Sequence, residues 1–89
     1  MEEIEALRFK INEITIEILR LVKKRLEITR EIGKLKALKG IPIKDEDAEK
    51  RLLSTVQKTC EDLNIFPELG EELTRLLIKY SIKIQERDF

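Results

Sequence analysis

The sequence predicts an all-α fold: one long helix and two shorter ones per chain, assembled as a homodimeric helical bundle. Three observations point there. Ile4, Leu7, Ile11, Ile14, Ile18 and Leu21 recur at spacings of three and four, and the rhythm resumes at Ile28, Ile32 and Leu35, which is a helical stripe and not the alternation of a strand. Turn-forming residues gather at Lys39-Gly40-Ile41-Pro42 and again between Asn64 and Pro67, dividing the chain into three segments. Neither internal repeats nor low-complexity stretches interrupt them.

The first helix is expected from about residue 3 to about residue 38. Glycine at position 40 suits a left-handed cap, and Pro42 cannot continue the helix. The second is expected over about 46–63. Asp45 reads as its N-cap, Glu46 and Asp47 complement the dipole of its first turn, and Leu52, Leu53, Val56 and Cys60 form its apolar side. The third is expected over about 67–87, opened by Pro67 and carrying Leu73, Leu76, Leu77, Ile82 and Ile84. Gly70 weakens the start of this helix without forbidding it.

Length dictates assembly. A helix of about 36 residues is roughly 54 Å long, whereas a compact chain of this size has a radius of gyration of about 12 Å. Two short helices cannot cover such a rod, so the seam calls for a second chain, most simply a homodimer that pairs the long helices.

Composition narrows the function. The 89 residues make one domain, 42% apolar and 40% charged, normal for a soluble helical protein with a charged outer face. No apolar run is long enough to span a bilayer and no signal-peptide pattern opens the chain, so the expected location is the cytoplasm. With no histidine, imidazole acid–base catalysis and nearly all zinc chemistry are excluded. Cys60 is the one cysteine, which rules out an intrachain disulfide and suits a small core residue. The 18 basic residues are balanced by 18 acidic ones and interleaved with them, so neither nucleic acid nor a membrane surface is an expected partner. Abundant Ile, Lys and Glu give a weak compositional hint of a thermophilic source.

Arg25 stands where the seam calls for an apolar residue. A guanidinium is almost never buried without partners for its charge and its five donors. Either the seam is not core at this point, or something anionic meets Arg25. Arg25, Thr29, Ile32 and Lys36 share one stripe of the first helix; Asp45, Glu49 and Leu52 share a face of the second; Ile78, Ser81, Ile82 and Gln85 share a face of the third. Spacing alone supports an anion-binding helical bundle.

The succession Leu7-Arg8, Ile11, Ile14, Arg25, Ile32-Gly33, Lys36, Gly40-Ile41-Pro42-Ile43, Asp45, Glu49, Ser81 and Gln85 resembles the all-helical chorismate mutases from about residue 4 to residue 85, without an evident insertion. The resemblance implies an intertwined homodimer with shared active sites, no cofactor and no metal, and chorismate, a small dianion, as substrate. It implies that Arg25, and Arg8 from the partner chain, bind the two carboxylates. Lys36 would reach a carboxylate and the ether oxygen, and Gln85 the same oxygen from the opposite side. Glu49 and the backbone N–H of Asp45 would hold the ring hydroxyl, Ser81 would assist a carboxylate, and Ile32, Ile78 and Ile82 would form apolar walls. Arg8 and Arg25 lie about 25 Å apart along one helix, so they cannot hold one small ligand within a single chain.

Two departures stand out. Ala48 occupies a position where the family commonly has arginine, and Asn12 and Thr15 replace usual acidic residues. Two other readings fit the same scaffold: an isochorismate pyruvate lyase, against which Glu49 speaks, and a non-catalytic dimerisation or regulatory module in which Arg25 pairs with an acid of the other chain.

Overall fold

A computed structural model describes all 89 residues. Three helices follow one another: α1 spans Glu2–Lys39, α2 spans Glu46–Leu63 and α3 spans Pro67–Asp88. Each boundary has a local cause. Gly40 closes α1 in the left-handed conformation (φ 66°), and Ile41 N–H donates to the Lys36 carbonyl at 2.9 Å, satisfying carbonyls that the helix itself leaves open. The Asp45 carboxylate accepts from Ala48 N–H at 3.0 Å and so caps α2, whose far end is closed by Asn64 at φ 55°. Asparagine is among the few residues that take this conformation at little cost. Pro67 opens α3 at a position where its missing N–H is harmless.

The helix α3 packs against both others, while α1 and α2 do not pack on each other. Gly70 makes the α2–α3 contact possible. A Cβ there would lie 2.3 Å from Cys60 Sγ and 2.9 Å from a Val56 methyl, so this glycine, which costs helix propensity, is required by close packing. Cys60 is 3% exposed and is the core residue of that contact.

The molecule measures 57 × 27 × 14 Å, with a radius of gyration of 16.4 Å. Its long dimension is that of α1, whose 38 residues rise about 57 Å. Every residue from Met1 to Leu21 is exposed, including the whole first half of the apolar seam. Only the last half of α1 meets α3, and Arg25, Ile32 and Lys36 lie there. No helix is long and apolar enough to cross a membrane.

Candidate active site

Where the three helices converge, a cleft of about 180 Å3 opens. Its walls bring together nine of the ten residues to which the resemblance gives a role: Arg25, Ile32 and Lys36 from α1, Asp45 and Glu49 at the start of α2, and Ile78, Ser81, Ile82 and Gln85 from α3. Thr29, Ile43, Ala48 and Leu52 complete the lining. Arg8 is exposed on the distal half of α1 and takes no part in this cleft.

The cations are held by neutral oxygens. Arg25 donates from Nη1 to Ser81 Oγ and to the Leu77 carbonyl, the latter at 3.3 Å. Ser81 spends its own hydrogen on the Leu77 carbonyl at 2.9 Å, which turns a lone pair toward Arg25. Both bonds of Arg25 leave from one nitrogen, so the remainder of the guanidinium fork is open to a ligand. Thr29, 7% exposed, donates to the Arg25 carbonyl at 2.8 Å, which spends its hydroxyl hydrogen within α1. Lys36 Nζ donates to the Ile43 carbonyl at 2.6 Å, which pins the ammonium against the loop between α1 and α2.

None of the chain's four ion pairs involves Arg25, Lys36 or Glu49. Arg25 and Lys36 therefore sit half-buried in one cleft with no direct ion pair, although the Asp45 and Glu49 carboxylates also line it. Such charges are costly unless a counter-ion arrives. Gln85 lies opposite, 5% exposed, with Nε2 donating to the Ser81 carbonyl at 3.1 Å. Its Oε1 is buried with no partner. An amide nitrogen carries two hydrogens, so one N–H of Gln85 remains for a ligand.

Several contributors were invisible in the sequence. The Ile43 and Leu77 carbonyls that hold Lys36 and Arg25 leave no trace in residue identity. Leu52 and Thr29 were legible, since the sequence already places them on the faces that carry Glu49 and Arg25.

Over residues 7–86 the sequence matches the family described as chorismate mutase type II. The chain belongs to that family. A chorismate mutase of Methanocaldococcus jannaschii is 29% identical over 87 residues, covering 98% of this chain and 88% of the relative. A T-protein of Enterobacter agglomerans is 34% identical over 79 residues, which are 89% of this chain but 21% of that protein. A bifunctional chorismate mutase/prephenate dehydratase of Aquifex aeolicus is 30% identical over 70 residues, again with 19% of its own length covered. The chain thus spans most of the first relative and about a fifth of the other two. Among type II chorismate mutases the all-helical architecture is the family's own, and the three helices here conform to it.

Proposed function

We propose that this chain converts chorismate to prephenate in the three-helix cleft, working as a homodimer whose partner chain completes each site. The carrying observation is the presence in one cleft of Arg25 and Lys36, neither of them in a direct ion pair, with a buried amide that has an N–H to spare.

The reaction is a one-substrate pericyclic rearrangement and needs no nucleophile, metal or proton transfer. Two things accelerate it: holding the compact reactive conformer, and stabilising negative charge that grows on the ether oxygen as its bond breaks. Arg25 takes one carboxylate through the open side of its fork, a geometry suited to paired hydrogen bonds. Lys36 and Gln85 approach the ether oxygen from α1 and α3. Glu49 and the Asp45 backbone N–H hold the ring hydroxyl, Ser81 supports the carboxylate, and Ile32, Ile78 and Ile82 keep the ring from tumbling. Because Arg25, Lys36 and Gln85 are already braced by Ser81, Leu77 and Ile43, little reorganisation accompanies the charge shift.

The second chain enters on two grounds. A cleft of about 180 Å3 is small and open beside the roughly 300–1,000 Å3 of pockets that enclose a small ligand, so a wall is missing. The bare half of α1 offers one. Ile4, Leu7, Ile11, Ile14, Ile18 and Leu21 are each 43–62% exposed, and covering them is worth roughly 1–2 kcal/mol apiece. An antiparallel partner helix would cover that seam and carry the partner's Arg8 to the second carboxylate.

The test is chorismate disappearance followed by ultraviolet absorbance, with the product identified. Saturable conversion to prephenate, lost in Arg25→Ala while the fold persists, supports the reading. Release of pyruvate from isochorismate would assign the lyase. A folded dimer that binds chorismate without converting it, or ignores it, would sink the enzymatic reading.

A further inference from the structure

Gln85 is braced on its far side by a group of residues outside the cleft. At Gly33 the α1–α3 contact leaves no room for a side chain. A Cβ built there would stand 2.8 Å from Gln85 Cγ and 3.0 and 3.2 Å from two ring carbons of Phe89. Gly33 is helical and buried, with no unusual backbone angle to require glycine; close approach alone requires it. One turn earlier on α1, Arg30 Nε lies 2.8 Å from an Asp88 carboxylate oxygen, and the Asp88 side chain is 16% exposed. Gln85, Asp88 and the capping residue Phe89, whose N–H donates to the Gln85 carbonyl at 3.0 Å, share one face at the end of α3, at i, i+3 and i+4. Arg30 and Gly33 share the face of α1 that meets it.

We propose that Gly33 and Phe89, tied down by the Arg30–Asp88 pair, form a seat that fixes the Gln85 amide for turnover. They are positioning residues, because none of the four lines the cleft. The bare backbone at Gly33 lets the Gln85 methylenes lie directly on α1, and the Phe89 ring closes the space beside them. With Cγ clamped and Nε2 bonded to the Ser81 carbonyl, the amide plane has little freedom to turn. The ion pair holds the last turn of α3 in the register this packing needs. An ether-oxygen donor is useful only if it waits in place, since displacement by about 1 Å can cost on the order of a hundredfold in rate.

This inference rests on Gln85 as donor to the ether oxygen, and the experiment separates the two. Phe89→Ala and Gly33→Ala are each made in the parent and in a Gln85→Ala background, and steady-state kinetics are measured well below the melting temperature. The Gln85 side-chain amide is followed by two-dimensional NMR in the dimer. In the parent background kcat should fall roughly tenfold while KM moves less than about threefold, with the amide resonance shifted or broadened. In the Gln85→Ala background the same changes should leave kcat where it was. An unaltered amide resonance in both variants overturns the seat, as does an equal loss of kcat in both backgrounds, which is the mark of a structural defect. If Gln85→Ala itself turns over like the parent, the role of Gln85 fails, while the amide spectrum still decides the seat. Phe89→Ala removes bulk and so keeps the test usable where Gly33→Ala does not fold.

Discussion

Mixing Arg8→Ala chains with Arg25→Ala chains separates a shared site from one built by a single chain. Arg25 lines the cleft and Arg8 does not; 17 helical residues put them about 25 Å apart on the rod of α1. Two arginine side chains cannot bridge that distance to one small ligand. Each homodimeric variant should therefore lose turnover by about 100-fold or more, the usual scale for removing a preorganised charged donor. After unfolding and refolding an equimolar mixture, half of the dimers are hybrids. Each hybrid has one site with both arginines and one with neither, so about a quarter of parental activity should return. Differently tagged chains and native mass spectrometry establish that hybrids form, and the chorismate absorbance assay reads the recovery. Hybrids no more active than the two parents would refute the shared site. So would an Arg8→Ala dimer that works normally on its own.

Ala48→Arg, which adds a cation to the rim of the cleft, should raise kcat/KM or shift substrate preference; unchanged kcat and KM would show that the position does not matter. Gly70→Ala drives a methyl into Cys60 and Val56 and should destabilise by about 1–3 kcal/mol despite its better helix propensity, seen as a fall in melting temperature of about 4–8 °C per kcal/mol. The loss should be smaller when Cys60→Ala removes the nearest obstacle, and an equal loss in both backgrounds would dismiss the clash. The Asp88 carboxyl is held below its ordinary range, first by a hydrogen bond from Arg87 and further by the charges of Arg87 and Arg30, against partial dehydration. A depressed carboxylate contributes stability that is complete above the ordinary range and is lost as pH falls through the lower, folded value. Asp88→Asn should therefore flatten the acid limb of the stability curve and leave its neutral region lower; an unchanged acid limb would count against the pairing.

Much of this architecture is legible in the residues because its causes are local. Gly40, Asp45, Asn64 and Pro67 end or start helices through their own backbone preferences and side-chain oxygens. Arg25 stands out because a charge in an apolar seam contradicts the pattern around it, and the polar residues that the resemblance names on the other helices line the same cleft. What stayed hidden depends on how helices approach one another. Gly70 reads in sequence as a weakness of α3, but in the fold it is the gap that admits Cys60. Gly33 was one residue of a motif, and its contact with Gln85 and Phe89 exists only once α3 lies on α1. The acceptors for Lys36 and Arg25 are main-chain carbonyls of Ile43 and Leu77, which any residue could supply.

The bareness of α1 from Met1 to Leu21 bears on how such a molecule behaves on dilution. A solitary helical arm owes its persistence to what it packs against, since propensity alone leaves isolated helices marginal in water. On the dimeric reading, folding of that arm and meeting the partner are a single second-order event. Melting temperature should then climb with protein concentration, and specific activity should decline as the enzyme is diluted toward its dissociation constant. A cell that makes little of this chain would lose more than a proportionate share of its catalysis.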